Sequence, residues 1–128
     1  MFITVRNITT EDLHNLYSIN KDIDVNALAD IFIHNEESCF GAFHNKRCVG
    51  YLLAQCKDTL CTINKLFITE MKEKEKTSQF LHKALEDYTE KSGIKNISID
   101  IESSEKDTID FFTKKGYAMH NPIIHLIK

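Results

Sequence analysis

Glycine and proline are scarce in this chain: four glycines and one proline in 128 residues. That excludes a collagen-like chain and leaves most punctuation to Asn, Asp, Ser and Lys. No apolar run approaches the roughly 18–20 residues of a membrane span. The first seven residues, MFITVRN, have no basic stretch followed by an apolar one, so no export signal is read and a cytoplasmic location is expected. The four cysteines (Cys39, Cys48, Cys56 and Cys61) contain no C-x-x-C, and the six histidines form no HExxH or close-spaced Cys/His set. No metal site is expected. The thiols are expected to be reduced and mostly buried on central strands, and a disulfide between any two would contradict the strand assignment. Excess charge is small: 16 basic against 19 acidic residues, net −3. The basic footprint of a nucleic-acid binder is missing, so neither nucleic acid nor membrane is an expected partner.

What is present is ordinary for a globular chain, 42% hydrophobic and 27% charged, which also sets aside a disordered chain or a coiled coil. Residues 1–128 read as one domain, long enough to fold without disulfides or metal. Ile3 and Val5 alternate with Thr4 and Arg6, a strand pattern. Thr9-Thr10-Glu11-Asp12 resembles a capping box, and Leu13, Leu16 and Tyr17 share one face of the helix it opens. Asp24 caps a second helix carrying Val25, Leu28, Ile31 and Phe32. Residues 39–43 and 48–55 are strands flanking a loop at His44-Asn45-Lys46-Arg47, and both are apolar on nearly every residue, so both faces should be covered. Residues 61–69 follow a turn at Lys57-Asp58-Thr59. The run EMKEKEK (70–76) reads as solvated surface. Residues 79–92 predict a helix with Phe80, Leu81, Ala84, Leu85 and Tyr88 as its apolar stripe, stopped by Gly93. Residues 96–102 (NISIDIE) alternate strictly. Ser104-Glu105-Lys106-Asp107 opens a further helix with Ile109, Phe111 and Phe112, stopped by Gly116. Residues 117–127 predict a last strand interrupted near Pro122. The predicted class is a mixed α/β sheet in the order βααβββαβαβ, with helices on both faces.

Two stretches carry a family resemblance. The first is Ile63-x-x-Leu66-x-Ile68, a loop, then the helix at 79–92. The second is the strand at 97–101, a short cap, then Thr108-Ile109-Asp110-Phe111-Phe112-Thr113-Lys114-Lys115-Gly116-Tyr117. With the element order along the whole chain, they make it resemble the GNAT superfamily of acetyl-coenzyme-A-dependent N-acetyltransferases. The resemblance implies a GNAT-like fold with the fourth and fifth strands parallel and splayed. It implies acetyl-CoA as cofactor, an amine-bearing small molecule or protein as acceptor, and room for a homodimer. The backbone of Leu66, Phe67 and Ile68 is then expected to hold the acetyl and pantetheine arm.

The family's glycine-rich pyrophosphate loop falls, counted from Leu66, on Glu73, Lys74, Glu75, Lys76, Thr77 and Ser78. No glycine lies between Gly50 and Gly93. Glycines there would let backbone N–H groups converge on phosphate. In their place Lys74 and Lys76, with Lys72, offer point charges, and Thr77 and Ser78 offer hydroxyls. The position of the family's tyrosine acid holds Phe112, its asparagine position holds Glu105, and its strand-four glutamate position holds Thr62. Tyr51, Asp100 and Glu102 are the remaining candidates for acid–base work; each also reads as core or solvated surface. Two functions follow: acetyl transfer to an amine, or a non-catalytic GNAT-fold binding or regulatory module that has lost transfer.

Overall fold

Seven strands form one mixed sheet in the computed structural model, which describes residues 2–20, 25–69, 73–101, 106–120 and 124–127. In chain order the elements are β1 (Thr4–Asn7), α1 (Leu13–Ile19), α2 (Val25–His34), β2 (Phe40–His44), β3 (Arg47–Lys57), β4 (Leu60–Ile68), α3 (Lys74–Ser92), β5 (Asn96–Ile101), α4 (Lys106–Lys114), β6 (Ala118–His120) and β7 (Ile124–Ile127). The spatial order is β1-β2-β3-β4-β5-β7-β6. Among the described residues only β4 and β5 are parallel, joined by α3 as their crossover; every other neighbouring pair is antiparallel.

The apolar run in β3 is explained by its central place. Seven successive residues, from Cys48 to Ala54, are buried, because helices lie on both sheet faces. On one face Leu52, Ala54, Cys61 and Ile63 pack with Leu81 and Leu85 of α3 and Phe112 of α4. On the other, Tyr51 and Leu53 pack with Leu16 of α1 and with Leu28 and Phe32 of α2.

Several boundaries differ from the sequence reading. The β2–β3 loop is only Asn45-Lys46, both at positive φ (51° and 67°), the backbone a two-residue hairpin needs. The last predicted strand is a hairpin, and β7 inserts between β5 and β6. Its Pro122, like Asp24, Ser104 and Glu105, lies outside the described residues. Tyr17 is exposed although Leu16 is fully buried.

The largest difference is in α3, which starts at Lys74 rather than Gln79. Its first turn faces inward through Thr77 and Ser78, polar residues that an apolar periodicity does not count. The inward stripe runs through Leu81, His82, Leu85 and Thr89, while Phe80 is 40% exposed. Gly93 ends the helix at φ 73°, as expected, and Ile94 N–H bonds back to Thr89 C=O.

The cysteines are free, with Cys39, Cys48 and Cys61 buried and Cys56 half-buried. One expectation needs correction. The β3–β4 register sets Cys56 directly opposite Cys61, so the strand assignment is itself compatible with a bridge there.

Candidate active site

A bulge in β4 creates the site. Leu53 pairs with Lys65 and Ala54 pairs with Ile63, so Asn64 is an extra residue on β4. The insertion shifts the alternation by one. Cys61, Ile63, Leu66 and Ile68 therefore all face α3, and Phe67 faces the α1–α2 side. Parallel pairing with β5 runs from Leu60 to Ile63 and ends at the bulge.

The backbone follows the same parity. Thr69 N–H donates to Val49 C=O at 3.0 Å, which puts residues 69, 67 and 65 in hydrogen-bonded pairs with β3. Leu66 and Ile68 then turn their N–H and C=O groups to the edge that β5 has left. β3 approaches β4 closely at this point. A Cβ on Gly50 would lie 2.9 Å from Phe67 C=O and 2.7 Å from Ile68 Cδ1.

A cavity of about 600 Å³ opens against this edge, within the range of small-molecule sites. One wall is Lys65, Leu66, Phe67 and Ile68 of β4. A second is Lys74, Glu75 and Ser78 in the first turn of α3. The third is α4, through Asp107, Thr108, Asp110, Phe111 and Lys114. The first turn of a 19-residue helix presents N–H groups whose acceptors lie outside the helix, with the positive end of its dipole. Three lysines and three carboxylates balance around the rim.

The expected cofactor residues divide accordingly. Leu66, Phe67, Ile68, Lys74 and Ser78 line the cavity; Lys76 and Thr77 do not. Lys76 reaches back over the Phe80 ring, 5.7 Å from its centroid. Thr77 is fully buried, and its N–H bonds to Glu73 C=O at 2.9 Å. The reason is helical: residues 74, 75 and 78 share one face, and 76 and 77 point elsewhere.

The acid–base candidates divide too. Tyr51 is fully buried on the opposite face, stacked on Phe67 at 5.6 Å, and its hydroxyl accepts a 3.0 Å bond from Asn20 Nδ2. Burial raises its pKa, which keeps it protonated. It does not reach the cavity. Asp100 lies on β5 opposite His125 in register; Glu102 lies outside the described residues. Thr62 accepts a 3.3 Å bond from Ser98 on the neighbouring strand. Of the two phenylalanines, Phe111 faces the cavity, and Phe112, matched above to the tyrosine acid, is fully buried. Neither has a proton to donate.

Sequence reasoning did not single out Lys65, Glu75, Asp107, Asp110 and Lys114 as site residues. For the three on α4 the signal is spacing: 107, 110, 111 and 114 repeat at helical steps on one face.

Behind Phe111 sits a buried polar cluster. His82 is fully buried, with Nε2 2.7 Å from the Tyr117 hydroxyl and Nδ1 3.2 Å from a Glu86 carboxylate oxygen. Phe111 and Phe112 present their edges to the imidazole at 6.1 and 5.7 Å. Burial raises the Tyr117 pKa strongly. With Tyr117 only 3% exposed, this constellation fastens α3 to the segment after α4 and lies outside the cavity lining.

Comparison with known proteins places these features. No curated protein matches the sequence. The architecture is shared by the PaiA N-acetyltransferase of Thermoplasma acidophilum, solved with coenzyme A: TM-score 0.89, 15% identity, 100% of this chain and 99% of that one covered. Ard1 of Thermoplasma volcanium superposes at TM-score 0.92 and 13% identity, covering 100% and 97%. Arabidopsis thaliana Naa50, solved with the bisubstrate analogue CoA-Ac-MVNAL, superposes at 0.84 and 17% identity, covering 100% and 99%. At such identities the likeness is one of fold. The sequence itself matches the Acetyltransferase (GNAT) domain over residues 7–125. A parallel β4–β5 pair that opens at a bulge, inside a chain matched almost end to end, makes this protein a member of the GNAT acetyltransferase family.

Proposed function

We propose that this chain transfers an acetyl group from acetyl-CoA to an amine. The observation that carries the reading is the open edge of β4 at Leu66 and Ile68, facing a 600 Å³ cavity beside the first turn of α3. Further support is that the structurally similar PaiA N-acetyltransferase and Naa50 were solved with coenzyme A and a coenzyme A conjugate.

The residues present fit the coenzyme, with one change of means. The β4 edge offers backbone donors and acceptors to an amide-bearing arm, as a further strand would. The glycine cradle is missing, so the phosphates fall to the first turn of α3, with Lys74 and Ser78 beside it. When bound, the coenzyme supplies an acyl group already activated as a thioester. The chain's own contribution is electrostatic and positional. Fixed N–H groups on the β4 edge polarise a carbonyl that lies against them. The cavity walls hold the acceptor close and limit water. The amine must lose a proton to attack; Glu75, Asp107 and Asp110 are the carboxylates on the cavity wall that accept one. With Phe112 at the position of the family's acid and Phe111 on the cavity wall, the leaving thiolate departs without a phenol proton.

The test is calorimetry with acetyl-CoA, followed by thiol release with amines ranging from polyamines to peptide N-termini. Binding together with amine-dependent thiol release is the expected outcome. Absence of binding at millimolar coenzyme defeats the reading. Phe111 and Phe112 favour a second reading, a coenzyme-binding module without transfer. Binding with no thiol release for any amine establishes that one instead.

A further inference from the structure

Cys56 and Cys61 face each other across the β3–β4 hairpin, two strands joined by the turn at Asp58-Thr59. The closing pair of such a turn, Lys57 and Leu60, exchanges hydrogen bonds, so the next pair does not. A second observation agrees. The Cys56 N–H points away from β4 and donates to Asn35 Oδ1 at 3.3 Å. Residues opposite each other in a non-hydrogen-bonded pair have Cα atoms about 4.5 Å apart and side chains on the same face. That lies at the short end of the span a disulfide accepts, about 4.4–6.8 Å, where the bond forms but is easily reduced.

The two thiols differ as an entry point and a resolving partner should. Cys56 is half-buried and Cys61 is fully buried. The neighbouring Cys61 lowers the Cys56 pKa, and Cys56 together with burial raises that of Cys61. The other two thiols are buried, and neither has a cysteine opposite it in the sheet. Burial pushes Cys39 up to about 11 and also raises Cys48.

We propose that Cys56 and Cys61 form a reversible redox modification site, whose co-reactant is a low-molecular-weight disulfide. The Cys56 thiolate attacks one sulfur of that disulfide, forming a mixed disulfide and expelling one small thiolate. Cys61 loses its proton and attacks the Cys56 sulfur. The Cys56–Cys61 bond forms and the second small thiolate leaves. The protein gives up two electrons and two protons, and the small disulfide becomes two thiols. This step is independent of the cleft and of acyl transfer.

The experiment treats the native full chain with glutathione disulfide, blocks free thiols, and maps products by intact mass and fragmentation of tryptic peptides. The expected product is two hydrogen atoms lighter, with residues 48–57 linked to residues 58–65 through Cys56 and Cys61, and it reverts with dithiothreitol. Cys61→Ala should instead stop at one glutathione adduct on Cys56. Cys56→Ser should leave Cys61 unmodified, because the remaining thiols are all buried. The wild-type mapping stands alone if a variant fails to fold. A stable glutathione adduct on wild-type Cys56, a bridge between another pair, or no native-state reaction where the denatured chain reacts overturns the proposal.

Discussion

Gly50 is the residue on which the shape of the cleft wall depends most directly. A methyl group there meets the Phe67 carbonyl and the Ile68 side chain at under 3 Å, and the carbonyl belongs to backbone that cannot swing aside. Gly50→Ala should cost about 1–3 kcal/mol, the usual range for overpacking, and should weaken coenzyme binding by displacing β4. Urea denaturation and calorimetry on the same variant check both effects. Arg6 and Asp12 supply a pH-dependent contribution at the opposite sheet edge. Arg6 donates to both Asp12 oxygens, at 2.7 and 3.1 Å, and these bonds hold the Asp12 carboxyl below its ordinary value against the opposing effect of burial. The stabilisation is present above the unfolded carboxylate value of about 3.9 and is lost as pH falls through the lower folded value. Since the Arg6 side chain is 47% exposed, solvent screening limits it to about 1 kcal/mol. Denaturation of wild type and Asp12→Asn between about pH 2 and 6 should show this acid limb in the wild type alone.

At the scale of elements, α3 carries the coenzyme question. Its first turn replaces a glycine loop, and of its lysines Lys74 lies on the cavity while Lys76 folds over Phe80. Lys74→Ala should therefore weaken acetyl-CoA binding more than Lys76→Ala. The difference should shrink as salt rises, because exposed charges are screened within about 8–10 Å. Equal affinities in calorimetry would show that neither lysine touches phosphate. The far side of α3 depends on Tyr117. Removing its hydroxyl from the 2.7 Å contact with His82 in a Tyr117→Phe variant should cost about 1–3 kcal/mol in thermal or urea unfolding. These elements also mark where the sequence was and was not readable. Helix stops at Gly93 and Gly116 were legible, because positive φ (73° and 96°) demands glycine. The start of α3 was not, because inward-facing Thr77 and Ser78 carry no hydrophobic signal. The same blindness hid His82 and Thr89 on its buried stripe.

For the whole molecule, the two covered sheet faces were legible because β3 is apolar on nearly every residue. The parallel β4–β5 pair came from the family resemblance, and the insertion of β7 between β5 and β6 was not legible because residues 117–127 read as one strand. The cavity was half legible. Backbone positions at 66–68 were implied by the family resemblance, whereas the bulge at Asn64 and the α4 wall needed the packing itself. A cleft shared by β4, α3 and α4 ties the ends of the fold together, so a ligand seated in it stabilises the molecule globally. Acetyl-CoA at a hundredfold excess over its Kd should add about 2.7 kcal/mol, a rise in Tm on the order of 10 °C for a chain this long, readable by thermal scanning.

The extra residue at position 64 has one more consequence. Asn64 takes up an extra step between Ile63 and Lys65, so the residues on either side of it keep one alternation against β3. Any small polar side chain should serve in its place. Its deletion should leave Leu66 and Ile68 on the α3 face and Phe67 on the α1–α2 face, because strict alternation would then run unbroken from Cys61 to Ile68. The loss would be the interruption itself: the ladder to β5, which now stops at Ile63, would have a regular edge to follow and would zip the cleft shut. The protein would keep nearly all its sequence and lose its opening to the removal of one irregularity.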